Sequence, residues 1–425
     1  MERPLTKNIR PGAARPDLEQ YETAGGYQAA RKALLRMAPP EIVEEVKKAN
    51  LKGRGGGGFP TGSKWSLMPA ADKDSRRPRY IISNSDEMEP GTFKDRFLMT
   101  GDPHQLIEGM IISAYAVQAD IAYIFIRADY HTSAAVLKQA IAEAYGKNYL
   151  GRNIFGSGYH LDMHLHISAG RYICGEETGL LNALEGKRAM PRAKPPYPAS
   201  VGLWGNPTLV NNVETYCNIP HIVLNGSSWY AGLSRSEDGG TKIFGVSGRV
   251  KTPGFWELPM GTTIREILED HAGGMKEGYK FRALIPGGAS TNFLMEEHLD
   301  AQMDFNSLQK FGSRMGTGTM IILDDRTCPV GMVLNLERFF ARESCGWCTP
   351  CREGLPWIVK ILQSIESGQG RSEDIGILNE QTWLLGPGHT FCALAPGAVE
   401  PLESALRFFK DDFDRHINEK RCPWG

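Results

Sequence analysis

The spacing of apolar residues along the chain changes period several times, and those changes divide it. Pro40 to Asn50 (PEIVEEVKKAN) puts Ile42, Val43 and Val46 on one helical face opposite charged residues, predicting an amphipathic helix. Tyr80 to Ser83 predicts a short buried strand that empties into Asn84-Ser85-Asp86-Glu87-Met88-Glu89-Pro90-Gly91. His104 to Gln118 reads as a helix, Ala122 to Arg127 as a strand and Thr132 to Tyr145 as a second helix. Strand and helix in alternation imply a mostly parallel sheet with helices on its faces. The segment YHLDMHLHIS alternates like a strand and carries His160, His164 and His166. A polar strand face is preferred to a metal site. After it, GRYICGEETG opens a helix through Leu184.

The pattern shifts near Ser236-Glu237-Asp238-Gly239-Gly240. Lys242 to Val250 predicts a strand, Thr252-Pro253-Gly254 a turn and Phe255 to Leu258 a return strand. A helix over Ile264 to His271 and a strand over Phe281 to Ile285 follow. These elements suggest a small β-grasp-like (ubiquitin-like) domain without evident chemistry. From Met332 onward the period is helical, with Leu355, Ile358, Ile361, Leu362 and Ile365 on one face and further helices over Ile375 to Leu385 and Pro396 to Phe413. Residues 1–30 are polar and punctuated by Pro and Gly, predicting an extended arm with a surface or partner role. The expected organisation is therefore an arm (1–30), an α/β domain (31–240), the β-grasp-like domain (241–330) and a helical bundle (331–425).

Composition changes this picture in two places. A chain of 425 residues exceeds one ordinary core. A net charge of −1 without a long basic run argues against a nucleic-acid or anionic-membrane surface. The first twenty residues contain no apolar core and do not read as a signal peptide. The longest nearly uncharged apolar run, Gly109 to Ala119, is too short to span a bilayer. A reducing cytoplasm is expected, with the cysteines serving as metal ligands instead of disulfides and any membrane association coming through partners.

The candidate chemistry centres on CGWCTPC. Cys345, Cys348 and Cys351 form a C-x2-C-x2-C run, and Cys392 follows in GHTFCALAPG. Three thiolates at that spacing can wrap an iron–sulfur cube that a distant fourth closes. Tetrahedral zinc is the main competitor, although its structural sites usually pair ligands as two separated knuckles. Cys174 reads as a small buried residue, and Cys422 as spare and exposed.

A second centre is the loop Gly53-Arg54-Gly55-Gly56-Gly57-Gly58-Phe59-Pro60-Thr61-Gly62 followed by Ser63-Lys64-Trp65. It matches G-x-G-x-x-G as text, but a helix precedes it where the dinucleotide fingerprint needs a strand. It is no P-loop either, because Ser63 stands where the lysine belongs. Its glycines can still offer consecutive N–H groups to phosphate, with Arg54 and Lys64 adding charge and Phe59 and Trp65 able to pack on a planar ring. Acids just past a strand, as in the turn from Asn84, suit ribose hydroxyls and would repel a 2′-phosphate; a solvated acidic turn is the bland alternative. Glu176 and Glu177 fit the first turn of a helix. Arg192 to Pro198 (RAKPPYP) is a rigid loop carrying Lys194 and Tyr197, and GNPTLVNNVET offers Asn211 and Asn212 as neutral donors.

Taken together, GRGGGGFPTGSKW, NSDEMEPGTFKDR, GRYICGEET, KPPYP, LVNNVET and ESCGWCTPC with Cys392 closely resemble the NADH-binding flavoprotein subunits of bacterial respiratory complex I, from about Gly25 to Phe413 in unbroken order. The resemblance implies an α/β flavin domain that is Rossmann-like without being a conventional dinucleotide fold, holding one FMN beside an NADH site. It implies a [4Fe–4S] cluster in the C-terminal bundle on Cys345, Cys348, Cys351 and Cys392. FMN would touch Gly53, Arg54, Gly55, Lys64, Asn84, Asp86, Gly175, Glu176, Asn211, Asn212 and Thr215. NADH or NAD+ would be held by Phe59, Glu89, Glu177, Lys194 and Tyr197. Gly56, Gly58, Gly62, Glu87, Tyr172 and Val210 complete the cofactor-binding set.

Gly57 departs from the alanine usual in the family, and Leu67 and Tyr197 stand where some members have phenylalanine. By the same resemblance, the reaction is NADH:quinone oxidoreduction, with no side chain acting as acid or base because flavin accepts the hydride. Glu89 would exclude NADPH by like-charge repulsion. Implied partners are the 24 kDa-type [2Fe–2S] subunit and the large Fe–S subunit of the peripheral arm, on the cytoplasmic side of the inner membrane. A diaphorase subunit of an NAD-reducing hydrogenase or formate dehydrogenase is the alternative within the class. A non-enzymatic Fe–S or zinc scaffold is the alternative outside it.

Overall fold

The computed structural model describes residues 2–10, 12, 14–71 and 77–424. Positions 1, 11, 13 and 425 of the expected arm and bundle lie outside the described residues. The chain forms two compact units, the first comprising Met1–Met88, Phe93–Ile243 and Glu257–Gly261, the second Glu89–Thr92, Phe244–Trp256 and Thr262–Gly425.

The first unit is built on a parallel sheet. Strands β1 (Tyr80–Ser85), β2 (Ile121–Ile126), β3 (Asp162–Ile167) and β4 (Thr208–Asn212) lie in the order β3-β2-β1-β4. β1 is parallel to both neighbours, with Asn84 level with Phe125 on one side and Asn212 on the other. Because β1 to β3 step one way and β4 returns on the opposite flank, the topology reverses between β1 and β4. Tyr80, Ile82, Phe125 and Val210 from the sheet close a core with Cys174, Leu180, Leu181 and Leu184. His164 and His166 pack on Tyr123 and Phe125 along β3, which is the expected polar strand face.

The apolar run near Gly109 lies in the helix Pro103–Ala116, which is buried along nearly its whole length. A Cβ on Gly109 would sit 2.0 Å from the carbonyl oxygen of Tyr216, so the glycine permits close approach of the helix Val213–Asn225. No helix among the described residues is long and apolar enough to cross a membrane.

The N-terminal segment departs from the extended arm expected of it. It forms the helices Leu18–Thr23 and Gln28–Arg36, and Leu5, Tyr21 and Tyr27 are buried. Short polar stretches hid this because the anchoring partner lies far along the chain. The buried Glu108 carboxylate accepts from Tyr21 Oη (2.6 Å), Tyr27 N (2.8 Å) and Ala30 N (3.0 Å). Glu257 likewise accepts from the amides of Leu5 and Thr6.

A second sheet orders β5 (Thr241–Ser247), β6 (Gly254–Pro259), β7 (Phe281–Ile285) and β8 (Thr319–Asp324) as β6-β5-β8-β7. β8 runs parallel to β5 and antiparallel to β7. β8 went unread in the sequence because a long segment with little regular structure separates it from β7. The helical region comprises Pro329–Glu343, Thr349–Glu366, Ser372–Leu384, Leu394–Phe408 and Lys410–Glu419. The single helix expected over Pro396 to Phe413 breaks at Phe409, whose ring is 2 % exposed and packs edge-on against Phe293. Cys422, read as spare and exposed, is half-buried instead.

Replacing Glu108 with alanine strands two buried amides and a phenol. The expected loss is about 3 kcal/mol or more in urea or thermal unfolding; a loss below about 1 kcal/mol would show that the carboxylate is no anchor.

Candidate functional site

The carboxyl ends of β1 and β4 meet at the topological reversal, where ligands bind in open α/β sheets. Asn84 and Asp86 leave β1, while Asn211 and Asn212 end β4. Each amide or acid is held in place. Asn84 Nδ2 donates to the Cys174 carbonyl at 3.0 Å, and Asp86 Oδ2 accepts from Ser168 Oγ at 2.9 Å. Asn211 is oriented so that its oxygen accepts from Trp65 Nε1 at 3.0 Å. Asn212 caps the following helix by accepting from Glu214 N and donates to Asp95 Oδ2 at 2.6 Å.

The glycine loop is pinned at its base, where Gly53 N donates to the Phe59 carbonyl (2.9 Å) and Thr61 N to the Leu51 carbonyl (2.8 Å). Gly56 and Gly58 take φ of +118° and +63°, conformations that side chains rarely adopt. A Cβ on Gly55 would lie 3.1 Å from that of Asn212, so the loop lies close to the end of β4. At Gly57 and Gly175 a Cβ would meet nothing within 4 Å, and both border open space. Gly62 packs on the helix Pro39–Lys48, where a Cβ would fall 2.6 Å from Lys47.

Arg54, expected to add positive charge at the glycine loop, lies inside the fold. It is fully buried, with its amide donating to Thr215 Oγ1 at 2.9 Å and Nη2 donating to the carbonyls of Gly239 and Thr241. Among the described residues its Nε and Nη1 are buried without a hydrogen-bond partner, the kind of donor an anionic group satisfies.

Three distant motifs are tied by one ionic chain. Lys64 Nζ donates to Glu177 Oε2 (2.8 Å) and to the Val210 carbonyl (2.7 Å). Lys194 Nζ reaches Glu176 Oε1 (2.8 Å) and Glu177 Oε1 (3.3 Å). Glu176 also caps the helix Glu177–Leu184 by accepting from Thr178 N and Gly179 N. Burial raises the Glu177 carboxyl, but the two lysines outweigh it and hold the group below its ordinary range. Phe59 and Tyr197 are exposed and Tyr172 is half-buried. Glu87 turns inward, accepting from Asp95 N and Tyr130 Oη, and burial with Asp95 nearby pushes it up to about 7.

Beneath Asn212 lies a charged cluster that the sequence did not announce. Glu214 faces Lys94 at 2.7 Å and Lys242 at 3.1 Å, all three fully or nearly fully buried. Lys94 also holds Asp95 and stays protonated above its usual range, while burial and its cationic neighbours push Lys242 down to about 7. One carboxylate cannot hold two ammonium groups equally. Lys94 and Glu214 stand in the segments NSDEMEPGTFKDR and LVNNVET, yet charge alone reads as solvated.

In the second unit, Glu89 Oε1 accepts from Ser290 N at 2.7 Å, which fixes the carboxylate. The cysteines meet there as well. Burial pushes the Cys351 thiol up to about 12, and Cys348, Cys392 and Cys345 are near enough to add to the effect. Ser344 Oγ lies 3.2 Å from Cys351 Sγ, and Trp347 packs edge-on against Phe391 beside the quartet. Four gathered thiols suit a cubane cluster.

A glycine loop at a sheet reversal in one unit and a thiol quartet in the other define a flavin- and iron–sulfur-carrying redox protein. Residues 46–221 match the Nuo51 FMN-binding domain, 243–294 the SLBB domain and 331–416 the NADH-ubiquinone oxidoreductase-F iron–sulfur binding region. The NADH-quinone oxidoreductase F subunit of Escherichia coli (strain K12) is 56% identical over 416 residues, covering 98% of this chain and 93% of that protein. The protein of the same name in Mycobacterium tuberculosis (strain CDC 1551 / Oshkosh) is 44% identical over 408 residues, covering 96% and 91%. The crystal structure of an NAD+-reducing [NiFe]-hydrogenase in the H2-reduced state superposes with a TM-score of 0.81 at 33% identity, covering 96% of this chain and 68% of that one. The chain belongs to the F-subunit family of NADH-quinone oxidoreductases.

Glu214 is held ionised down to about 2, below its ordinary 4.5, because burial is outweighed by Lys242 and Lys94. Its stabilisation is therefore present above pH 4.5 and is lost as pH falls towards 2. Glu214→Gln should cost about 3–5 kcal/mol near neutrality. In urea titrations the gap from wild type should narrow below about pH 4.5; a gap independent of pH would count against the ion pairing.

Proposed function

We propose that the chain oxidises NADH as the flavoprotein subunit of an NADH:quinone oxidoreductase, with FMN seated over the carboxyl ends of β1 and β4 and a [4Fe–4S] cluster on Cys345, Cys348, Cys351 and Cys392. The observation that carries this is the convergence of Asn84, Asp86, Asn211, Asn212 and the glycine loop at the reversal of the sheet. Flavin supplies the conversion of a two-electron hydride donor into one-electron transfers, and the cluster supplies the one-electron acceptor.

The chain's own groups bind and orient. Gly55, Gly56 and Gly58 offer a loop whose backbone N–H groups can meet a phosphate, Gly53 closes its base and Gly62 seats the helix that follows it, and Arg54 supplies positive charge from beneath. Lys64 fixes the loop's helix against Val210, Glu177 and the segment carrying Tyr172 and Gly175. Asn84, Asp86, Asn211, Asn212 and Thr215 line the flavin side, with Glu87 bracing the acidic turn. Phe59 and Tyr197 offer exposed rings for the adenine, while Glu177 and Lys194 meet the polar part of NADH. No side chain exchanges a proton in the hydride step.

Within the two compact units, the proposed domain limits are 1–30, 31–240, 241–330 and 331–425, the first a packed helical segment and the third β-grasp-like. The chain works peripherally at the cytoplasmic face of the inner membrane, through the 24 kDa-type [2Fe–2S] subunit and the large Fe–S subunit. A hydrogenase or formate-dehydrogenase diaphorase role fits less well, given 56% identity to the quinone-reducing relative against 33% to the hydrogenase.

The test is flavin and iron content of the chain purified with its complex, together with bleaching by NADH and NADH:ferricyanide activity. A colourless protein inert towards NADH would overturn the proposal and favour a scaffold. Glu89 is held against Ser290 and would face a 2′-phosphate with negative charge. Glu89→Gln should raise kcat/KM for NADPH about tenfold, equivalent to about 1.4 kcal/mol; unchanged NADPH kinetics would remove Glu89 from that role.

A further inference from the structure

Away from the thiol quartet, four more potential ligands converge from four separate places in the second unit. Cys328 caps the helix Pro329–Glu343, Glu366 ends the helix Thr349–Glu366, His416 lies in Lys410–Glu419, and Cys422 belongs to the segment after it. One ligand atom from each lies within 4.8 Å of all the others. Cys328 Sγ is 3.3 Å from His416 Nε2 and 3.4 Å from Glu366 Oε2, and His416 Nε2 is 3.1 Å from Glu366 Oε2. Cys422 hydrogen-bonds to Glu366. Ligand–zinc distances of about 2.0–2.3 Å give tetrahedral edges of roughly 3.3–3.8 Å, so these separations need only slight adjustment.

The groups behind the ligands suit a metal too. His416 Nδ1 lies 2.7 Å from the Asp412 carbonyl, which fixes Nδ1–H as donor and leaves the Nε2 lone pair facing the other ligands. The Gly331 amide donates to Cys328 Sγ at 3.2 Å, a contact that favours the thiolate. Trp424 stacks on the His416 ring at 16°, and the guanidinium groups of Arg282 and Arg415 cover Trp424.

From this geometry we infer that Cys328, Glu366, His416 and Cys422 bind one zinc ion as a structural site separate from the iron–sulfur cluster. Two thiolates, one imidazole and one carboxylate are borderline-soft donors that match zinc, and no further position is left for substrate. Cys351 and Glu366 stand near opposite ends of one helix, roughly 22 Å apart at 1.5 Å per residue. The ion fastens the C-terminal segment to the ends of two helices whose far ends border the cluster-binding loop. Zinc is bound here without any change of redox state.

Zinc, iron and FMN are to be counted by elemental and flavin analysis on complexes carrying the full-length chain. Wild type should carry about one zinc more than Cys422→Ser and His416→Gln, whose iron and FMN should match wild type. Cys392→Ser should lose iron and keep that zinc. Zinc-edge X-ray absorption on the unmodified complex should show zinc with two sulfur and two nitrogen or oxygen neighbours, so a variant that fails to fold still leaves a test, and a zinc-free complex would overturn the proposal. Equal zinc in wild type and both ligand variants, or zinc lost together with iron in Cys392→Ser, would overturn the proposal.

Discussion

Lys64 holds the flavin-site half of the molecule in register. Its ammonium ties the helix that ends the glycine loop to the Val210 carbonyl on β4 and to Glu177 at the start of another helix. Glu177 passes the link on to Lys194, which also holds Glu176. Four charged groups from three stretches of sequence thus neutralise one another where each alone would be costly to shelter from water. A loop of glycines has little stiffness of its own, and its shape here is borrowed from this chain of ions and from the two amides at its base.

Beneath it, charge is buried deeply. Arg54, Lys94, Glu214 and Lys242 sit under the ends of β1 and β4 with almost no exposure. Three cations face the Glu214 and Asp95 carboxylates and several carbonyls, which leaves a local excess of positive charge. The uneven outcome for the two lysines follows from that excess. Lys94, with two acids, keeps its proton, while Lys242 is pushed down to about 7.

The second unit is organised around sulfur. One helix, Thr349–Glu366, begins among the cysteines of the quartet and ends at Glu366 beside Cys328, His416 and Cys422. Both ends of this helix therefore stand among groups suited to metal coordination.

Residue order alone determined a good deal. The C-x2-C-x2-C run, the glycine loop and the alternation of strand and helix are local signals, because spacing of a few residues dictates which groups share a face or wrap a ligand. Tertiary structure decided what depends on distant partners. Glu108 drew the polar N-terminal segment into the core, Phe409 broke a helix whose periodicity ran on unbroken, and Arg54 turned inward to carbonyls nearly two hundred residues away. Cys422 offered no local clue because its neighbours Cys328, Glu366 and His416 come from three other elements. Periodicity reports the face a residue presents; only the packed chain determines which group it meets there.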